Sequence, residues 1–146
     1  MSDVKEPNPK DAIAGTKVPL HLLSPIASAH WALAQFVGAV KYGTWNWRGT
    51  RVKSMVYLSA AKRHIDACIA GEDVDPADGT RHLGNVMACC AIILDAEEAG
   101  TLDDDRPPVV GVRKVYAWVE EQMVKLREKY KDKNPTHYTK KEHGKR

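Results

Sequence analysis

Apolar side chains recur at three- and four-residue spacing in four stretches of this chain, and no stretch keeps the two-residue rhythm of a strand. That pattern restricts the fold to helices packed on helices, because each stretch has one apolar stripe to cover. The first sets Ile26, Ala29, Leu33, Phe36, Val37 and Val40 at the helical period. Ser24-Pro25 offers an N-cap followed by Pro at the first helical position, and Gly43 stops the helix. The second runs from about 52 to 70, with Tyr57, Ala61, His64 and Cys68 on one face and Gly71 at its end. The third takes Thr80 as its N-cap and carries His82, Val86, Cys89 and Ile93 as a stripe ending near Gly100. The fourth repeats Val112, Tyr116, Val119, Met123, Leu126 and Tyr130, a seam suited to another helix and, in a terminal helix, to a dimer. The expected architecture is an all-α bundle of four main helices.

Organisation follows from the punctuation. Residues 1–19 contain three Pro and are expected to form an extended N-terminal arm. Residues 20–131 form a single helical domain, and 132–146 a mobile basic tail. A chain of 146 residues can build one core without metal or disulfide staples. Its three Cys (Cys68, Cys89, Cys90) sit in apolar helical patterns, with neither a disulfide framework nor a CxxC pair for zinc. The start lacks an apolar signal core, and no apolar run approaches membrane-spanning length. These features predict a soluble, cytoplasmic protein with no membrane partner.

The net charge of +3 is unevenly placed, with the basic excess in 125–146 and acids at 72–78 and 103–105. It permits an anionic ligand and does not call for long nucleic acid. Lys41-Tyr42-Gly43-Thr44-Trp45-Asn46-Trp47-Arg48-Gly49 joins the first two helices and packs two Trp, a Tyr and two cations into one turn. Aromatic faces beside fixed cations suit a ring that carries phosphates. The competing reading is a hydrophobic plug whose Lys and Arg stems snorkel to water.

A second concentration of chemistry surrounds the loop between the second and third helices. Arg63 and His64 lie on one helix, Glu72, Asp75 and Asp78 in the loop, and His82 and Asn85 on the other. Both His fall in apolar stripes and are expected to face inward, either as hydrogen-bonded core residues or as ligands. An EF-hand does not fit, since Ala77 and Gly84 occupy positions that need oxygen ligands. Two readings stay open for the acids: capping the third helix, or holding magnesium or manganese.

Taken in order, Asn8-Pro9-Lys10-Asp11, Lys17-Val18-Pro19-Leu20, Lys41-Tyr42-Gly43, Asn46-Trp47-Arg48, Arg63-His64, Gly71-Glu72-Asp73-Val74-Asp75 and His82-Leu83 resemble a phage family, the dATP/dGTP diphosphohydrolase amino-terminal domain. The resemblance covers about residues 8–98 and leaves the last helix and tail outside. It implies a phage origin, the cytoplasm of an infected bacterial host, and a purine deoxynucleotide as ligand. It also implies distant similarity to the all-α nucleoside triphosphate pyrophosphatases, which assemble as oligomers and hold divalent ions on a Glu-Glu-x-x-Glu helix and a Glu-x-x-Asp helix. At the nearest equivalent positions this chain has Arg63-His64-x-x-Ala67 and His82-x-x-Asn85, and its first helix has no carboxylate.

Two functions are therefore expected to compete, with a structural phage protein whose Trp cluster is merely core as a third reading. In the enzyme, Glu72 and Asp75 are catalytic and hold magnesium or manganese with His64 and His82, hydrolysing dATP or dGTP to monophosphate and pyrophosphate. Lys41, Arg48 and Arg63 bind phosphates, Trp45 or Trp47 stacks on the base, Asn46 adds an amide edge, and Lys10 and Lys17 fold over the ligand. The alternative is a non-catalytic protein that sequesters a nucleotide or a nucleotide-derived host-defence signal with the same cations and aromatics, and no cofactor. A homo-oligomer is expected in both.

Overall fold

The computed structural model describes residues 6–143, with His143 as backbone only; parts of the arm and tail readings fall on residues outside that range. Within it lie six α-helices: α1 (Pro9–Ala14), α2 (Pro25–Tyr42), α3 (Ser54–Ile69), α4 (His82–Glu98), α5 (Val112–Lys129) and α6 (Lys140–His143). The only strands among the described residues, β1 (Val52–Lys53) and β2 (Leu102–Asp103), pair in parallel. The fold is all-α, as the periodicity requires. No helix of the described residues is long and apolar enough to cross a membrane.

Local chemistry sets the helix ends. Ser24 Oγ accepts the Ala27 N–H at 3.2 Å, Pro25 opens α2, and Gly43 at φ 94° closes it with its N–H on the Ala39 carbonyl. Asn8 and Pro9 do the same for α1, so part of the expected extended arm is a short helix. Thr80 is not the cap of α4, which begins two residues later at His82. The Asp75 N–H donates to the Thr80 carbonyl and Val74 bridges Arg81, so the chain is still extended at Thr80.

The described residues fall into two compact units, which meet between Asp104 and Asp105 in sequence. In the first, α4 packs against both α2 and α3. Its buried contacts are small: Ala34 on α2, Ala61 on α3, and Gly84, Ala88 and Ala96 on α4. An added Cβ on Gly84 would lie 2.7 Å from the His30 carbonyl oxygen, so glycine is what allows α2 and α4 this close. Beyond α4, the Val52 N–H donates to Thr101 and Val52 is 3% exposed, which ties the start of α3 to the segment after α4. In the second unit, the seam residues of α5 are exposed, from Val119 at 39% to Tyr116 at 62%.

Candidate functional site

His64 sits in α3 and His82 is the first residue of α4, so the two histidines flank the acidic loop from opposite sides. Their Nδ1 atoms are 2.9 Å apart. On its other side, His82 Nε2 lies 2.8 Å from Glu72 Oε1. His82 is buried at 4% exposure, whereas the Glu72 side chain is about half exposed. An oxygen of Asp75 comes within 4.8 Å of both imidazoles, making His64, Asp75 and His82 a three-donor cluster. Burial holds the His64 pKa below the ordinary imidazole value; the neighbouring His82 adds to this and Asp75 opposes it.

The loop is fixed by its own backbone. The Glu72 N–H donates to Ala67, the His82 N–H to Asp73, and Asp75 Oδ1 accepts the Ala77 N–H at 2.9 Å. Beside it, Lys41 reaches from the end of α2 to Asp78, with Nζ–Oδ2 at 2.8 Å. That hydrogen bond raises the Lys41 pKa, and Asp75 is close enough to add to it. Arg63, next to His64, is exposed and donates to Ser59 Oγ at 3.0 Å. The structure thus gathers Lys41, Arg63, His64, Glu72, Asp75 and His82 in one region.

Trp45, Asn46, Trp47 and Arg48 form a different constellation. Trp45 takes a left-handed conformation at φ 59°, and residues Asn46–Arg48 make one 3-10 turn. Arg48 grips Asp95 on α4 with two 2.7 Å bonds, and Trp47 Nε1 donates to the same carboxylate at 2.6 Å. The Arg48 guanidinium also lies 4.5 Å from the Trp45 ring centre. Arg48, expected on a phosphate, is therefore engaged by protein groups. The Asp95 carboxyl is held well below its usual range, at about 2, chiefly by the Arg48 bond and then by Trp47.

Trp31, Phe36, Trp45, Trp47, Leu94 and Asp95 line a cleft of about 780 Å³ against this turn. Ala91, also in its wall, is nine residues beyond His82 on the same helix. Nine residues are two and a half turns, or about 14 Å of rise, and point to the opposite face. The aromatic cleft and the histidine cluster therefore occupy different sides of α4. Lys10 in α1 and Lys17 after it are exposed and belong to neither.

Two residues escaped the sequence reading. Asp95 is the anchor of the aromatic turn, and its only signal was a lone acid inside the apolar run 91–96. Trp31 lines the cleft with its indole N–H buried and unpaired, a placement that its helical position did not single out.

Residues 7–106 match the family described as "dATP/dGTP diphosphohydrolase, N-terminal". Over 100 residues the chain is 30% identical to a dATP/dGTP diphosphohydrolase of Salmonella phage PMBT28, covering 66% of this chain and 34% of that protein. It thus spans about a third of the length of that relative. No solved structure matches the chain. The matched span contains both the histidine cluster and the aromatic turn, and the chain belongs to the dATP/dGTP diphosphohydrolase amino-terminal family.

Proposed function

We propose that the region around His64, Asp75 and His82 binds the triphosphate of a purine deoxynucleotide, dATP or dGTP, and hydrolyses it to monophosphate and pyrophosphate. The observation that carries this reading is the half-enclosed imidazole–carboxylate cluster with Lys41 and Arg63 beside it. A cluster of that kind supplies donors, acceptors and fixed positive charge together, which phosphoryl chemistry needs. The name of the phage relative supports the substrate class.

Lys41 and Arg63 would meet the phosphates, with Lys41 exchanging Asp78 for a phosphate oxygen. Water attacks the α-phosphorus, forming one P–O bond as the α–β bridge breaks, and pyrophosphate leaves with the electron pair. Asp75 and Glu72 are the carboxylates available to accept the proton of that water. Magnesium, which the family resemblance implies, does not suit this donor set, because it takes near-octahedral oxygen ligands and the cluster offers two imidazoles and one carboxylate.

One observation favours sequestration without turnover. Helix α2 carries no carboxylate, so the cluster lacks the several acids that paired hard cations require. Both readings are tested by mixing the protein with dATP or dGTP and a divalent ion, then measuring pyrophosphate release and retained intact nucleotide. Turnover that disappears in Asp75→Ala and Glu72→Ala supports the enzyme. Stoichiometric retention without pyrophosphate replaces it with sequestration of a nucleotide or a nucleotide-derived signal, and the absence of both turnover and retention takes the nucleotide out of the site.

A further inference from the structure

We infer that His64, Asp75 and His82 form a three-ligand site for one late first-row divalent cation, zinc or cobalt in preference to magnesium, with Glu72 acting through His82 as a positioning residue. Any role of the ion in catalysis rests on the reading above; its binding does not.

The hydrogen bonds fix the ligand atoms. Glu72 Oε1, 2.8 Å from His82 Nε2, accepts the proton of that nitrogen. The free lone pair of His82 is then on Nδ1, which faces His64 Nδ1 at 2.9 Å. Between two facing nitrogens there is room for one proton, so the pair is either a hydrogen bond or two ligand atoms aimed at one point. Asp75 adds an oxygen within 4.8 Å of a ring nitrogen of each histidine. A carboxylate behind a ligating imidazole, setting its tautomer and orientation, is a recurrent arrangement at metal centres.

Donor type sets the metal. Two imidazoles and one carboxylate match zinc, cobalt or iron, whereas magnesium and calcium take oxygen. A tetrahedral ion about 2.0–2.1 Å from each nitrogen separates two such nitrogens by about 3.3 Å. Seating it needs the Nδ1 pair to open by less than about 1 Å, within the reach of side-chain rotation. The ligands come from two helices and a hydrogen-bonded loop, so little ordering is left for the ion to impose. Three protein ligands leave a coordination position open for another group.

The test uses the full chain, stripped with a chelator and checked for native circular dichroism, without nucleotide. Calorimetric titration with Zn²⁺, Co²⁺, Mn²⁺ and Mg²⁺ is expected to give one Zn²⁺ or Co²⁺ per chain, weaker Mn²⁺, and Mg²⁺ weakest. Asp75→Asn, in the loop, and His64→Ala should each abolish binding while the helical spectrum persists. Glu72→Gln retains an acceptor for His82 Nε2 and should weaken Zn²⁺ about tenfold; Glu72→Ala should weaken it toward 100-fold. Cys68→Ser/Cys90→Ser should leave binding unchanged, separating the cluster from adventitious thiol coordination.

The inference is overturned by Zn²⁺ binding that survives both His64→Ala and Asp75→Asn, by loss in the thiol variant, by Mg²⁺ as tight as Zn²⁺, or by no binding to the folded chain. It is also overturned as regards Glu72 if Glu72→Ala and Glu72→Gln bind like the parent. Zinc binding without nucleotide turnover or retention sinks the proposed function and leaves this site standing. Turnover without zinc binding does the reverse.

Discussion

Arg48 and Asp95 meet side by side across 47 residues of sequence, with Nε 2.7 Å from Oδ2 and Nη2 2.7 Å from Oδ1. Trp47 shares the same carboxylate through its indole N–H at 2.6 Å, and Thr101 Oγ1 holds the Trp47 carbonyl at 2.6 Å. Asp95 is therefore the clamp that fixes the aromatic turn on α4. Replacing it should loosen the turn before it unfolds the helices. In Asp95→Ala, Trp45 and Trp47 lose their common anchor, and tryptophan emission should shift to the red with faster acrylamide quenching. Asp95→Asn retains one carbonyl acceptor and should fall between the parent and Asp95→Ala. Equal quenching in all three proteins would remove the clamp.

The same pair makes an acid-sensitive contribution. The Asp95 carboxyl titrates at about 2 in the folded chain against an ordinary 3.8, because Arg48 and then Trp47 stabilise its charged form. A depressed folded pKa stabilises fully above the ordinary value and is lost as pH falls through the folded one. Melting temperature measured from pH 5 to pH 2 should therefore fall more steeply in the parent than in Asp95→Asn, with the difference confined to the interval between about 4 and about 2. Parallel curves would show that this pair adds nothing to acid stability.

Local chemistry made α2 legible: Ser24, Pro25 and Gly43 each act within one turn of themselves, and the helix begins and ends where they say. His64 and His82 were legible as a facing pair because the helical period puts each on a packed stripe. The bond from Glu72 to His82 was not, since it depends on how the loop folds back through Asp73 and Thr80. Strands β1 and β2 are two residues each, too short to show alternation, and their partners lie 50 residues apart. The aromatic turn read as one site with Lys41, yet different acids hold them. Lys41 turns to Asp78, and Trp47 with Arg48 to Asp95, a division that only the three-dimensional packing decides.

Gly84 illustrates a backbone requirement that composition hides. A methyl group there would sit 2.7 Å from the His30 carbonyl oxygen and 3.1 Å from its carbon. Ala favours an isolated helix over Gly by about 1 kcal/mol. Forcing two packed backbones apart costs typically about 1–3 kcal/mol. Gly84→Ala should thus destabilise by up to about 2 kcal/mol in urea unfolding. Gly38 has nothing within 4 Å of an added Cβ, and Gly38→Ala should be neutral or stabilising. A stabilised Gly84→Ala protein would mean that α2 and α4 do not approach so closely.

Lys41 and Asp78 give opposite signs to a binding test. Their 2.8 Å pair competes with any phosphate that takes Lys41 as a partner. Under the proposed function, Lys41→Ala removes a charged donor and should weaken dATP or dGTP binding about tenfold. Asp78→Ala frees the ammonium and removes a nearby negative charge, so it should strengthen binding by a few-fold at low salt, with the gain shrinking as salt screens it. Circular dichroism melts on both variants separate binding from folding. A pair that merely braces α2 against the loop predicts something else: both variants weaken binding alike, in step with their loss of stability. Equilibrium dialysis with labelled nucleotide distinguishes the two, because only the phosphate role lets Asp78→Ala bind more tightly than the parent.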